Sequence, residues 1–507
     1  MVAGKQPTIA FPKRLPCPPG FLLVAACRAL GTGEPPPPAP VSRRAPVERW
    51  MQVKLNQFMA SDTTTFLKRF YYNDEFASVN VVITIGGEWE ISPGWTTGGL
   101  PYDIAKQLRA ALLYAENRFY GKTRPFNDTE VSSLQYLSVP QALADLAQFI
   151  QYVKSDVFER GRYKSAKVVL VGCSYAGSLA TWMSSKYPHL VDAAFSDSGP
   201  LRAQEGFPEY MSVVIRAIRA RGGKICLTKI GESMKQLADA LASKNQADRL
   251  TRMFNTCRPV QSSNPMGVMA FLDTVAFPFK EMVQFGLDIE DACAVFTNTS
   301  NLTPLQRLAN FVTSRSRGPC KKASYAKIVA EHKDTSYDSE AWRKRVWLYQ
   351  TCIEFGWFST ITNAHKPYFP AVSLDYFRQL CKDVFSTDIN EERLRQGVQR
   401  TNTMYGGLNL IPDYVISVVS THDPWSVLAP NAAHGHSKSP VYVIPGGSHC
   451  KIFGGPQDDD SQETKIARKA VLDFMYENVY GMTPLSGATH TEATPVLLGL
   501  AAAVQFY

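Results

Sequence analysis

The chain has 507 residues, of which 45% are hydrophobic and 20% are charged, and its formal net charge is +9. This length predicts two domains or one domain with a large insertion, and the composition is that of a soluble globular protein rather than a disordered or fibrous one. The basic residues form short clusters without interleaved aromatic residues, which argues against nucleic-acid binding. No stretch approaches the ~20 apolar residues of a membrane-spanning helix.

The first 45 residues are expected to lie outside the fold. Residues 21–27 (FLLVAAC) form a short apolar run behind basic residues and prolines, which is a weak secretory signal. The Pro-rich segment that follows is typical of disorder. The sequence therefore predicts a disordered or targeting segment over residues 1–45, with an incorrect or extended start as the alternative.

Strand and helix patterns alternate up to residue 200. Strands are predicted at residues 79–87 (VNVVITIGG), 166–172 (AKVVLVG) and 191–200 (VDAAFSDSGP), and helices at 101–113, 139–157 and 178–190. The first strand is a continuous β-branched run, which is typical of a strand buried on both faces of a parallel sheet. The alternation predicts an α/β domain with a mostly parallel sheet, whose first part spans residues 46–200.

Helical periodicity dominates residues 201–400, where six of the ten cysteines lie. We expect a helical cap inserted over this range and stapled by disulfides. Strand patterns return at 412–420 (PDYVISVVS) and 440–447 (PVYVIPGG), and a terminal helix is predicted at 465–481. Residues 401–481 are therefore expected to complete the α/β domain, which makes that domain discontinuous in sequence.

The ten cysteines are irregularly spaced and include no CxxC pair. Disulfides are therefore a better interpretation than a zinc or redox site, and no cofactor is expected. Three N-glycosylation acceptors, Asn127, Asn298 and Asn301, agree with an oxidising compartment. The chain is expected to be secreted, endosomal or lysosomal.

The C-terminal tail, residues 482–507, has the order of parts of a GPI-attachment signal. Small residues at 486–488 precede a polar spacer at 489–495 and an apolar end at 496–504. Both the spacer and the apolar end are short for such a signal. A frayed or docked terminus is therefore the preferred interpretation, and a GPI anchor at the cell surface is the alternative.

Ser174 lies in the segment GCSYAG, directly between a predicted strand and a predicted helix. In a nucleophile elbow the serine occupies a strained turn, and the residues two positions before and after it must be small. Gly172 and Ala176 meet that demand, although glycine is usual at the second position. Ser174 is therefore the candidate nucleophile, and the amide of Tyr175 at the start of the helix is the expected oxyanion donor.

A serine nucleophile needs a base and an acid that orients the base, and in α/β-hydrolases they follow in the order Ser, Asp, His at strand ends. Asp423 and His449 occur in that order, each after one of the two late strands. His422 adjoins the acid, while His434 and His436 lie in a loop expected at the surface, so all three are weaker candidates for the base. A metal site at this loop would need a third ligand and is not expected.

The glycine-rich loop after the first long strand is expected to supply the second oxyanion donor. Its candidate is the amide of Gly87, which precedes Glu88. Two roles are predicted for Glu88, and the sequence favours neither of them. Glu88 either binds a positive group of the substrate or caps its own loop.

A series of motifs extends over residues 50–480. They are NQF (56–58), KRFYYND (68–74), GGEWEIS (86–92), AENRFYGKTRPF (115–126), VPQALADLAQFI (139–150), GCSYAGSLATWMSSKYPHLVDAAF (172–195), WLYQTCIEFGWF (347–358), TNTMYGG (401–407), DPW (423–425) and GGSHC (446–450). In kind and order they resemble the serine carboxypeptidase family that contains prolyl carboxypeptidase, dipeptidyl peptidase II and thymus-specific serine protease. The motifs SYAG, KYPHL and SHC are most similar to the thymus-specific member.

The resemblance implies an α/β-hydrolase fold with an inserted helical cap, and a triad of Ser174, Asp423 and His449 that hydrolyses short peptides through an acyl-enzyme. It implies an exopeptidase of the carboxypeptidase or dipeptidyl-peptidase kind. Ser178 replaces a methionine of prolyl carboxypeptidase, and VVSTH stands before DPW where the family has an asparagine-glycine pair. Cleavage after proline is therefore not implied, while Ser178 and Trp425 are the candidate substrate contacts.

Two other functions stay open at this stage. The departures from the family pattern would also fit a catalytically silent binding homologue of the same fold. A lipase or esterase is the third alternative, although the family motifs extend well beyond the elbow. The oligomeric state is open as well, with a homodimer among the alternatives.

Overall fold

A computed structural model describes residues 34–482 of the chain apart from residues 77, 300, 317 and 340. The strands are β1 (Val47–Lys54), β2 (Thr65–Asn73), β3 (Val81–Ile85), β4 (Ala111–Ala115), β5 (Val168–Cys173), β6 (Ala193–Asp197), β7 (Gln204–Gly206), β8 (Gly356–Phe358), β9 (Val415–Ser420) and β10 (Val441–Ile444). The helices of the α/β part are α1 (Gly99–Gln107), α2 (Val131–Leu134), α3 (Val139–Val153) and α4 (Tyr175–Lys186).

The remaining helices form a block between β6 and β9, followed by a terminal helix. They are α5 (Glu209–Ala242), α6 (Ala247–Met253), α7 (Pro265–Gln284), α8 (Ile289–Thr297), α9 (Pro304–Ser314), α10 (Tyr325–His332), α11 (Trp342–Gln350), α12 (Leu374–Val384), α13 (Glu391–Tyr405) and α14 (Gln462–Tyr480). No helix in the described ranges is both long and apolar enough to cross a membrane.

The main sheet has eight strands in the order β1-β2-β4-β3-β5-β6-β9-β10. The pairs β1–β2 and β2–β4 are antiparallel, and every later pair is parallel. Every residue of β3 and β5 is buried, because alternate side chains enter apolar cores on opposite faces. Helices α1 and α14 cover one face, and α3 and α4 cover the other. This arrangement is the α/β-hydrolase fold, as predicted.

The predicted helix at residues 101–113 is wrong in its second half. Helix α1 ends at Gln107, Arg109 turns the chain with φ 48°, and residues 111–115 form β4. The segment ALLYA is a short apolar run that fits a helix or a buried strand equally well, and pairing with β2 and β3 selects the strand.

The N-terminal part of the domain also differs from the prediction. Strands β1 and β2 form an antiparallel hairpin where no strand was predicted. Residues 34–45 pack on the domain, since the Ser92 amide donates to Glu34 Oε1 at 2.9 Å and the Val41 amide donates to the Thr97 carbonyl at 2.8 Å. The prediction that residues 1–45 lie outside the fold is therefore wrong for residues 34–45, while residues 1–33 fall outside the described range.

The helical block carries the predicted disulfide staples. Three disulfides join pairs of cysteines within it: Cys226–Cys293, Cys257–Cys320 and Cys352–Cys381. A fourth disulfide, Cys173–Cys450, lies in the α/β part. The remaining cysteines, Cys17 and Cys27, and the predicted GPI-type tail beyond residue 482 lie outside the described residues.

Candidate active site

Ser174 stands in a strained turn between β5 and α4. Its backbone has φ 58° and ψ −130°, a conformation that non-glycine residues rarely adopt, and its amide donates to the Asp197 carbonyl at 2.9 Å. The strand and helix cross so closely that a Cβ at Gly172 would lie 2.1 Å from the carbonyl oxygen of Ala176. The extra methyl group of Ala176 itself is accommodated and fully buried. The half-buried Ser174 side chain is thus presented at the carboxyl edge of the sheet.

His449 and Asp423 form a buried pair at the same edge. His449 Nδ1 lies 2.8 Å from Asp423 Oδ2, and the side chains are 4% and 0% exposed. An ionised carboxylate can only accept, so Nδ1 donates the hydrogen bond and Nε2 is left as the basic nitrogen. Among the described residues, the buried Nε2 has no hydrogen-bond partner. Asp423 Oδ1 in turn accepts from the Trp425 amide at 3.0 Å, which fixes the carboxylate.

A disulfide brings the elbow and the histidine loop together. Cys173 directly precedes Ser174 and Cys450 directly follows His449, and the two cysteine Cα atoms are 5.8 Å apart. The backbones that carry the candidate nucleophile and the candidate base therefore run side by side. The three residues predicted from the sequence all follow strands at the carboxyl edge of the sheet, where His449 and Asp423 are in contact.

Two further carboxyl groups lie close to His449. Burial favours the neutral imidazole, but Asp423, and then Asp197 and Glu88, more than offset it and raise the pKa of His449. Burial raises the pKa of Asp197 to about 7 and the pKa of Glu88 to about 7. Asp197, the last residue of β6, was not among the residues predicted for the site. Its signal is an acidic residue at the end of an apolar parallel strand.

The predicted oxyanion donors follow two neighbouring strands. Tyr175 is the first residue of α4, after β5, and Gly87 follows β3. Gly87 is packed so tightly that a Cβ there would lie 2.6 Å from the Trp89 ring. The Tyr175 side chain points into the interior, where its hydroxyl accepts from Gln350 Nε2 at 3.1 Å. The amides of Tyr175 and Gly87 stay the predicted donors.

Glu88 is half-buried, and its Oε2 atom is enclosed without a hydrogen-bond partner among the described residues. Its carboxyl also receives a hydrogen bond from its own amide, which lowers the pKa against the larger effect of burial. Both predicted roles, capping and binding of a positive substrate group, are compatible with this placement.

Trp425 lies where the helical block meets the candidate triad. Its indole nitrogen donates to Gln284 Oε1 at 3.1 Å, and the Tyr210 hydroxyl donates to the same oxygen at 2.6 Å. The His449 amide donates to the Gln284 carbonyl at 2.8 Å. The Trp425 and Trp357 rings meet edge to face with centroids 5.8 Å apart. Gln284, at the end of α7, thus joins the block to the site, and no sequence motif indicated it.

Ser178 is placed differently from the prediction. Its side chain is fully buried, and its hydroxyl donates to the Pro200 carbonyl at 2.6 Å. The residue faces the chain that leaves β6, because it lies one helical turn after the elbow on the inner side of α4. The fully buried Ser178 side chain is therefore not accessible to a substrate, which argues against the predicted substrate contact.

The other predicted polar residues lie apart from the pair. Burial, and then Arg221 and Arg216, lower the pKa of His422. His434 Nδ1 accepts from the Asn431 amide at 3.0 Å in a surface turn. Within the described ranges, no group of three His, Cys, Asp or Glu side chains could hold a metal ion. The predicted glycosylation sites Asn127, Asn298 and Asn301 are all exposed.

Comparison with known proteins agrees with the resemblance of the motifs. Thymus-specific serine protease of Mus musculus is 30% identical over 451 residues, which cover 84% of this chain and 86% of the relative. Lysosomal Pro-X carboxypeptidase of Mus musculus is 24% identical over 483 residues, which cover 88% and 93%. An epoxide hydrolase from Vigna radiata, a solved structure, has a TM-score of 0.35 and 12% identity over 86% of this chain and 99% of its own.

The family comparison covers both parts of the α/β domain and the helical block between them. The sequence model of the family described as serine carboxypeptidase S28 matches residues 53–471. The chain therefore belongs to the serine carboxypeptidase S28 family.

Proposed function

We propose that the chain is a serine exopeptidase that hydrolyses short peptides, with Ser174 as nucleophile, His449 as base and Asp423 as the orienting acid. The observation that carries the proposal is the 2.8 Å contact between His449 Nδ1 and Asp423 Oδ2, beside the strained turn at Ser174. An orienting acid, an available Nε2 and a serine on a strained turn are the parts that acyl transfer requires.

In the proposed reaction, Ser174 Oγ attacks the carbonyl carbon of the peptide bond while His449 Nε2 takes the hydroxyl proton. Asp423 keeps the proton on Nδ1 and stabilises the imidazolium that forms. The amides of Tyr175 and Gly87 would stabilise the oxyanion. His449 then gives the proton to the leaving amine, and a water molecule hydrolyses the acyl-enzyme by the same steps.

The position of the helical block supports the proposal that the enzyme is an exopeptidase acting on short peptides. Through Gln284 and Trp425 it contacts the turn that carries Asp423, so the block lies against one side of the proposed site. A site covered on one side in this way would favour the end of a short chain over a loop of a folded protein. The printed name of the lysosomal Pro-X carboxypeptidase relative points in the same direction.

Labelling with a fluorophosphonate probe tests the assignment of Ser174. We expect the wild-type chain to be labelled and Ser174→Ala to lose all labelling, because the probe reacts with an activated serine. Ser184→Ala is the matched control, since Ser184 lies on the same helix, where its hydroxyl donates to the Ala180 carbonyl at 3.0 Å. Persistent labelling of Ser174→Ala would contradict the assignment. An unreactive wild-type chain would favour the silent binding homologue.

Substrate screening tests the reaction class. Cleavage of a peptide library, read by mass spectrometry, is expected to release products from one end of each peptide. p-Nitrophenyl esters measured in parallel should be turned over with a lower kcat/KM than the best peptides. Faster turnover of the esters, with no peptide cleavage, would favour a lipase or esterase instead.

The cellular location is proposed from the covalent structure. The four disulfides within the described ranges are typical of a protein from an oxidising compartment, which agrees with a secreted or lysosomal protein. A lysosomal relative is consistent with this. The GPI anchor and the homodimer stay predictions.

A further inference from the structure

One disulfide joins the residue before the proposed nucleophile to the residue after the proposed base. Cys173 precedes Ser174, Cys450 follows His449, and the two cysteines are 277 residues apart in sequence. The other disulfides of the described chain lie within the helical block, between residues 226 and 381. Of the disulfides in the described residues, only Cys173–Cys450 links the two parts of the α/β domain. It lies next to the proposed nucleophile and next to the proposed base.

Among the described residues, the loop that carries His449 has one covalent link to the elbow, the disulfide, besides hydrogen bonds to several neighbours, such as those from the Leu100 and His422 amides to the Phe453 and Gly447 carbonyls. It runs from β10 to α14 through turns, without helix or strand. The His449 amide donates to the Gln284 carbonyl at 2.8 Å, and the Cys450 amide donates to Ser198 Oγ at 2.9 Å. Cys450 has φ 53°, a backbone conformation that a non-glycine residue keeps only when its surroundings hold it there. The disulfide is the covalent part of those surroundings.

The sheet does not set the distance from Ser174 to His449 directly. Ser174 follows β5 and His449 follows β10, and β6 and β9 lie between these strands. Asp423 sets the rotation of the imidazole, but it follows β9 and does not tie the ring to the elbow. Proton transfer requires Oγ and Nε2 within about 2.6–3.2 Å of each other, so the position of the whole loop matters.

We infer that the Cys173–Cys450 disulfide is a positioning element of the reaction, which holds the loop that carries His449 beside the turn that carries Ser174. The inference rests on the proposed triad. A disulfide that closes so long a loop also stabilises the fold by restricting the unfolded chain. Positioning and stabilisation differ in one respect: only positioning changes the rate of folded molecules.

The test compares two double variants, Cys173→Ala/Cys450→Ala and Cys226→Ala/Cys293→Ala. The second is the matched control, since it removes a disulfide within the helical block. Both are assayed well below their unfolding temperatures, and kcat is expressed per fluorophosphonate-titrated site. We expect kcat and the labelling rate constant to fall about tenfold or more in the first variant, because a displacement of about 1 Å costs up to about 10²-fold. KM should change little, and the control should keep the wild-type kcat.

Equal kcat and equal labelling rates in the two variants would overturn the inference, because the disulfide would then only stabilise the fold. If the first variant does not fold, the folded wild-type chain is treated with dithiothreitol. The dithiol is oxidised to its cyclic disulfide as the protein disulfide takes up two electrons and two protons. Cys450 is half-buried and Cys173 is buried, so attack is expected at the Cys450 sulfur.

Differential alkylation and mass spectrometry then report which cysteines are reduced. We expect the loss of labelling to follow reduction of Cys173 and Cys450, and an aliquot that is reoxidised before alkylation should regain the wild-type labelling rate. A wild-type labelling rate with these two cysteines reduced would overturn the disulfide inference alone, provided that Ser174→Ala loses labelling. Persistent labelling of Ser174→Ala would overturn both the triad and the inference that rests on it.

Discussion

At the scale of single residues, the protonation of His449 is set by three carboxyl groups. Burial opposes the charged imidazole, while Asp423, Asp197 and Glu88 favour it and together raise its pKa. His449 in turn lowers the pKa of Asp197 and of Glu88 against the larger effect of burial. Because these groups interact, protons leave the site in steps that belong to the cluster rather than to one residue.

The pH dependence of kcat/KM tests this cluster. Only neutral His449 can take the proton from Ser174, so kcat/KM should fall as the pH drops through the raised pKa of His449, and this acid limb should lie above pH 6.5. Asp197→Asn removes a negative charge that favours the imidazolium, so the limb should move to lower pH. Asp413→Asn is the control, since Asp413 is exposed and paired with Lys438. An unmoved limb, or a shift to higher pH, would contradict the assigned role of Asp197.

The proposed role of Asp423 predicts a large loss of turnover in Asp423→Asn. The asparagine side-chain amide would donate to Nδ1, so the proton of the neutral imidazole would lie on Nε2. The nitrogen that faces Ser174 would then no longer be basic, and kcat should fall about 10⁴-fold. KM should change little, because the shape of the site is kept. Steady-state kinetics and circular dichroism measure both effects. A folded variant with less than about a tenfold loss would argue against Asp423 as the orienting acid.

At the scale of elements, the elbow depends on how closely β5 passes α4. A Cβ at Gly172 would lie 2.1 Å from a backbone oxygen, so either the strand or the helix must move to admit it. The alanine at position 176, by contrast, is buried without such a conflict. Glycine is therefore required on the strand side of this crossing, and a methyl group is tolerated on the helix side.

Gly172→Ala is accordingly expected to lower the unfolding free energy by about 1–3 kcal/mol, the usual cost of overpacking, and to slow fluorophosphonate labelling. Ala176→Gly, the control on the other side of the crossing, should cost about 1 kcal/mol or less and keep the labelling rate. Urea denaturation and labelling kinetics measure the two effects. Wild-type stability and labelling in Gly172→Ala would show that the crossing can widen.

Elements also differ in how well the sequence predicted them. The strands β3, β6, β9 and β10 lie within the predicted segments and β5 ends one residue beyond its segment, because each is a run of β-branched or apolar residues bounded by a polar or glycine-rich end. Strand β4 was assigned to a helix, since five apolar residues have no decisive period. Its pairing with β2 and β3 decided the conformation, and both partners are remote from it in sequence.

At the scale of the whole molecule, buried polar contacts tie the helical block to the α/β domain. The Tyr120 hydroxyl donates to Gln350 Oε1 at 2.6 Å, and Gln350 Nε2 donates to the Tyr175 hydroxyl at 3.1 Å. The Val139 amide donates to Glu354 Oε1 at 3.0 Å. These hydrogen bonds link α11 and the turn after it to the elbow helix α4 and to the start of α3. The position of the block over the proposed site is thereby specified.

The burial of three carboxyl groups predicts that the folded protein is more stable at pH 5 than at pH 8. Burial raises the pKa values of Glu88, Asp197 and Glu354 to about 7, so their ionisation costs more in the folded chain than in the unfolded one. This stability is lost as the pH rises from about 4 towards 7. The raised pKa of His449 acts in the same direction. Its contribution to the unfolding free energy is fully present below pH 6.5 and is lost as the pH rises through the raised pKa.

Urea denaturation at the two pH values measures this effect. We expect the unfolding free energy to be lower at pH 8 by on the order of a few kcal/mol. The double variant Asp197→Asn/Glu354→Gln should show a smaller difference between the two pH values than the wild-type chain. A higher unfolding free energy at pH 8 would show that other groups dominate the pH dependence.

The sequence by itself determined the candidate nucleophile, acid and base, the fold class and the family. Each of those residues follows a recognisable strand, and local pattern and order are enough to select them. Only the tertiary structure decided which side chains surround them. It placed Asp197 and Gln284 beside His449, buried Ser178 under the elbow and paired Cys173 with Cys450. These contacts join residues that are remote in sequence, so no local pattern could specify them.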